Sequence, residues 1–147
     1  MDVAALNTSL RAAIAAYAPI NVWANDTYSK DHTFLDRLDS RDTPGEPTCP
    51  YSALVLTGKQ AGQDLRTNYG MFEVYAVITD ATASGLANLE EYRQLLEDAM
   101  VADVNGGNIR LSVVDTEYDD QSSYPMIWCS SKLRFIEEST IGANPLK

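Results

Sequence analysis

The sequence predicts an α+β fold: an antiparallel sheet, with room for mixed pairing, of about four to five strands, two helices packed on one face and a long loop insert. Three observations predict it. Apolar residues recur at steps of three and four in two stretches, residues 2–18 and 86–104. They alternate with polar residues in three others, 71–79, 108–118 and 125–137, which is the two-residue period of a half-buried strand. The chain has 147 residues, 45% apolar and 22% charged, enough for one domain with its own core. That domain is expected over residues 1–137, with 138–147 as a C-terminal tail.

The elements follow in order. In residues 2–18 the stripe is Val3, Leu6, Leu10, Ala13, Ile14 and Tyr17, with Asn7, Ser9 and Arg11 off it. Pro19 is expected to close this helix, because the residue before a proline disfavours helical geometry. Ile20, Val22 and Trp23 then read as a short strand ended by Asn25-Asp26. Residues 26–50 interleave acids, bases and Pro44, Pro47 and Pro50, and only Phe34, Leu35 and Leu38 could anchor them. They read as an exposed loop with one helical turn near 34–38. Loops beyond about 15 residues are uncommon in compact domains and are often functional.

Residues 51–57 (YSALVLT) form a strand, 58–70 a long hairpin connection containing Gly58, Gly62 and Gly70, and 71–79 (MFEVYAVIT) the next strand. Phe72, Val74, Ala76 and Ile78 share one side of it. A turn over 80–85 leads to the second helix, whose apolar face is Leu89, Tyr92, Leu96, Ala99 and Met100. Asn88 is a candidate cap, with Glu91 three residues on. Asn105-Gly106-Gly107 ends the helix, since glycine accepts the left-handed backbone there. Two strands joined by a polar hairpin loop, 119–124, complete the pattern.

Composition narrows function. With 21 Asp plus Glu against 11 Lys plus Arg, the formal charge is −10. Phosphate binding is driven by Lys and Arg, so nucleic-acid affinity is not expected. The longest apolar run, residues 12–19, is far short of the roughly 20 residues that span a bilayer, and no membrane partner is expected. Met1-Asp2 lacks a basic region before an apolar core, so no signal peptide is expected. Cys49 and Cys129 lie apart, outside any CxxC or His-rich setting, and read as free thiols.

No residue pattern specifies catalysis. His32 is the only histidine and reads as a solvated loop residue. The run from Gly58 to Gly62 lacks the lysine and hydroxyl spacing of a phosphate loop. Asp115, Glu117, Asp119 and Asp120 are the densest acid cluster, yet they lack the spacing of a calcium loop. We therefore expect no enzyme, cofactor or metal.

The element order resembles the tail terminator and tail-completion (neck) proteins of tailed bacteriophages. The resemblance rests on the first amphipathic helix, the strand Phe72-Glu-Val-Tyr-Ala-Val-Ile-Thr79 after a long hairpin, the helix over 86–104 and the closing pair with its Lys132-Leu-Arg-Phe135 alternation. It covers about nine-tenths of the chain, though not the insert 26–50 or the tip Asp119-Asp120. It implies a structural virion protein that assembles as a ring, usually a hexamer, at the head-proximal end of the tail tube. There it would stop tube growth and join the tail to the head connector. The implied partners are other copies of the chain, the tail tube protein and the connector, with DNA as passing cargo only. Candidate loop contacts are Asp36, Arg37, Arg41, Lys59 and Arg66; candidate lumen acids are Asp115, Glu117, Asp119 and Asp120. The alternatives are another virion component (tube, connector adaptor or minor capsid protein) or an unrelated α+β binding module.

Overall fold

The computed structural model describes residues 2–35, 49–61 and 67–138. Within them the chain runs α1 (Val3–Ala16), α2 (Ala18–Tyr28), β1 (Thr33–Leu35), β2 (Tyr51–Ala61), β3 (Thr67–Thr79), α3 (Gly85–Val104), β4 (Ile109–Asp119) and β5 (Met126–Glu138). The five strands form one mixed sheet in the order β1-β2-β3-β5-β4. All pairings are antiparallel except β1 with β2, which is parallel. The α+β expectation holds, with three described helices where two were expected.

The third helix comes from the segment read as a strand. Pro19 does not end a helix; it sits in the first turn of α2, where its missing N–H leaves no hydrogen bond unmade. The break falls at Tyr17, whose extended backbone separates α1 from α2. Asn25 and Asp26 continue α2, which ends at left-handed Ser29. Asp2 caps α1 by accepting from the Ala5 N–H at 3.1 Å.

Other boundaries also move. Phe34 and Leu35 are strand residues of β1 rather than part of a helical turn, while Leu38 lies outside the described residues. The hairpin read as a connection over 58–70 is mostly ladder, paired from Gly58↔Met71 to Ala61↔Asn68. Asn88 is not the cap of α3; Ser84 holds that position, and Asn88 reaches back to Asp80.

Helix-facing side chains make one core: Val3, Leu6, Leu10 and Ile14 of α1, Ile20, Trp23 and Ala24 of α2, Leu89, Tyr92, Leu96, Ala99 and Met100 of α3, and alternate residues of β2, β3 and β5. The periodic positions read from the sequence in β3 and α3 are those that are buried. Glycine sets two close approaches. A Cβ on Gly70 would lie 3.2 Å from the Phe72 ring and 3.7 Å from Leu6, so its absence lets α1 settle on β3. A Cβ on Gly85 would lie 3.2 Å from the Asp80 carbonyl and 3.3 Å from Ile127, so α3 starts tight against the sheet.

Candidate assembly surface

The three helices occupy one face of the sheet, and the opposite face is organised in rows that the register fixes. One row runs Tyr51, Val77, Trp128, Asp119 from β2 to β4; the next runs Ala53, Tyr75, Ser130, Glu117; the third runs Val55, Glu73, Lys132, Asp115. The face therefore grades from apolar on β2 to acidic on the edge strand β4. Tyr51, Tyr75, Val77, Ser123, Met126 and Trp128 line a shallow hollow of about 320 Å³ at its apolar end. Lys132 stands between Glu73 and Asp115, and the Arg134 guanidinium lies 5.5 Å from the centre of the Tyr69 ring.

A bulge creates the acidic column. Leu111 and Val113 face the helices opposite Phe135 and Leu133, and strict alternation would send Asp115 and Glu117 the same way. Val114 is the extra residue between Val113 and Asp115. Beyond it the phase reverses. Asp115, Glu117 and Asp119 face outward, while Thr116 and Tyr118 face the helices. Thr116 pairs with the Ser131 hydroxyl at 2.9 Å, and Tyr118 donates to Glu90 of α3. Edge strand β4 also exposes apolar surface, with Val113 38%, Val114 49% and Tyr118 48% exposed.

The acids do different work. Asp119 is a turn residue: its carboxylate accepts from the Gln121 N–H at 3.0 Å, the Ser122 N–H at 2.9 Å and the Ser122 hydroxyl. These bonds hold its pKa below the ordinary carboxylate value. Asp120 is partly buried, accepts from Gln121 and lines a cleft of about 460 Å³ with Leu86, Tyr124 and Ile127. Only Asp115 and Glu117 are exposed, outward-facing acids in a strand. Of the candidate loop contacts, Lys59 belongs to β2, while Asp36, Arg37, Arg41 and Arg66 lie outside the described residues.

Two clusters escaped the sequence reading. Asp80, buried after β3, accepts from the Tyr28 hydroxyl at 2.7 Å, the Asn88 amide at 2.9 Å, and Thr82 through its N–H at 2.9 Å and its hydroxyl at 2.6 Å. Burial alone would raise its pKa; the hydrogen bonds from Thr82, Asn88 and Tyr28 outweigh that and hold it at about 2. The Asp-x-Thr spacing after a strand was the available signal. Arg93, partly buried on α3, bridges Glu90 at 2.6 Å and Glu97 at 2.8 Å. The Asp80 cluster ties α3 to α2 and to the end of β3, whereas the Arg93 bridges lie within α3, from which Glu90 also meets Tyr118 of β4.

His32 departs from its solvated reading. It is partly buried, its ring nitrogen Nδ1 lies 3.3 Å from the Tyr92 hydroxyl, and its backbone N–H donates to Asn21. Burial lowers its pKa, against a smaller opposing effect of Asp31. No disulfide joins the two cysteines, and burial pushes the Cys129 thiol up to about 12, which leaves it protonated and a poor nucleophile. Among the described residues no three His, Cys, Asp or Glu side chains gather as a metal site, and no helix is long and apolar enough to cross a membrane. Comparison with known protein families and with curated proteins found no match to this chain.

Proposed function

We infer that this chain is a structural virion protein of a tailed bacteriophage, assembling as a ring at the head-proximal end of the tail tube. In that role it ends tube polymerisation and joins the tail to the head connector, acts without a cofactor, and lets DNA pass without binding it. The reading rests on the resemblance in element order, and one structural observation favours it above the alternatives. Among the described residues, helices cover one face of the sheet only, and its edge strand β4 combines exposed Val113, Val114 and Tyr118 with outward Asp115 and Glu117. Exposed apolar residues on an open strand edge suit a contact with a neighbouring subunit. A head-to-tail contact closes into a ring when its rotation permits. An acidic column beside that contact suits a wall that repels phosphate at short range, even with salt screening.

Light scattering after size-exclusion chromatography, followed by negative-stain imaging with isolated tail tubes, tests the reading. A ring, free or capping one end of a tube, is expected. Particles decorating the whole tube would instead favour a tube component. A chain that stays monomeric and never caps a tube would overturn the virion reading in favour of an unrelated binding module.

A further inference from the structure

The cleft between the end of β3, the start of α3 and the β4–β5 turn carries negative charge that the fold leaves uncompensated. Asp80 lines it, is 7% exposed, and is ionised at neutral pH. Its donors are the Tyr28 hydroxyl, the Asn88 amide, and the Thr82 N–H and hydroxyl, all of them neutral. They satisfy the carboxylate, two bonds to each oxygen, without cancelling its charge. Buried charges are ordinarily paired with an opposite one. Asp120 brings a second carboxylate to the same cleft, and among the described residues only one of its oxygens has a partner, the Gln121 side-chain amide at 3.2 Å. No lysine or arginine lines the cleft among the described residues.

Apolar surface gathers at the same place. Leu86 is 47% exposed and Tyr124 is 60% exposed. The Tyr124 hydroxyl donates to the Ala81 carbonyl at 3.1 Å, which holds the ring as one wall of the cleft. A second hollow, of about 450 Å³, shares Leu86 and Asp120 with the first and adds Ala87, Glu90 and Tyr118. There the Glu90 charge is already balanced by Arg93, and the Tyr118 ring is 48% exposed. The first hollow therefore lacks a cation, and the second offers mainly apolar contact.

We propose that these two adjoining hollows form a docking site for an extended segment of a partner protein that carries a lysine and an apolar side chain two positions apart. The lysine ammonium meets the free oxygen of Asp120 in the field of Asp80, and its four-carbon stem lies along Leu86 and Tyr124. The apolar side chain enters the second hollow against Ala87 and Tyr118. A spacing of two puts both side chains on one side of an extended backbone. One free carboxylate oxygen suits an ammonium, a point charge with rotatable donors; a guanidinium fork makes its two parallel bonds to both oxygens of a carboxylate. This site goes beyond the ring reading: it is tested on the isolated chain, and its failure would leave that reading standing.

The probe is a capped Gly-Lys-Gly-Leu-Gly peptide, titrated into ¹⁵N-labelled protein and followed by amide chemical shifts. Saturable shifts confined to Leu86, Ala87, Asp120, Gln121 and Tyr124 are expected. Exchanging the peptide's lysine for glutamate should abolish them, and exchanging its leucine for serine should weaken them. Asp120→Asn is expected to weaken binding about three- to fivefold, the scale of one exposed ion pair, while Asp115→Asn on the opposite face of the sheet leaves it unchanged. Shifts scattered over the acidic surface, or an equal loss from Asp115→Asn, would mean diffuse attraction by net charge and would overturn the site. So would the absence of shifts, or n-butylammonium matching the peptide, since the site would then serve free amines. Should Asp120→Asn fail to fold, the three peptides on the wild-type chain decide alone.

Discussion

Asp80 and His32 make the fold sensitive to acid in two separate windows. His32 has its folded pKa below the ordinary 6.5, so the unfolded chain takes up the proton first. Stability from this residue is present above about pH 6.5 and declines as pH falls toward the folded value. His32→Gln is expected to remove that part of the slope, as read by denaturant midpoints between pH 7.5 and 5. Asp80 is held at about 2 against an ordinary 3.8, so its contribution is present above pH 3.8 and lost between there and about 2. A shift of that size corresponds to about 2 kcal/mol. Asp80→Asn should cost about that much at pH 7 and progressively less below pH 4. An equal deficit at pH 7 and pH 2.5 would show that Asp80 contributes by packing alone. In the sequence the Asp-x-Thr spacing was the one signal for Asp80, and His32 had none. His32 sits among polar residues in the sequence, while the Tyr92 hydroxyl that lies against its ring comes from α3, sixty positions later.

At the scale of elements, strong periodicity was legible and weak punctuation was not. β3, α3 and β5 have apolar positions that agree with the observed burial, because their period is carried by large side chains over many residues. α2 was hidden by Pro19, which stops a helix from within and starts one from its first turn; the sequence alone does not say which. The acids of β4 stand out in the sequence as a cluster, but their facing depends on Val114, and a bulge leaves no local signature in a run such as Ser-Val-Val-Asp-Thr. Deleting Val114 should therefore preserve the fold. Val113 stays opposite Leu133, Asp115 stays opposite Lys132, and the strand becomes regular. We expect an unchanged circular dichroism spectrum and an increased tendency to self-associate, since bulges guard open edges. A loss of cooperative melting would mean that the bulge is needed for the sheet itself.

For the whole molecule, the ring reading assigns the exposed acids a task that charge reversal can probe. Asp119 is a poor target, because reversing it also dismantles the Ser122 turn. Asp115→Lys with Glu117→Lys is the cleaner change, on an exposed, outward strand surface. Assembled virions carrying both should eject DNA more slowly, in a salt-dependent way; ejection at the parental rate would place β4 away from the channel. The strand order carries a different consequence, for biosynthesis. β5 is made after the other four described strands, yet it lies between β3 and β4 and pairs with both along nearly its whole length. Until β5 is made, β4 lacks its one partner among the described strands and the core lacks Ile127, Cys129, Leu133 and Phe135. The domain thus waits for β5 before it can close, and exposes its apolar strands until then. Chains ending before Met126 should give no cooperative unfolding transition. Folding on the ribosome should switch on late, as a single event, once β5 has emerged.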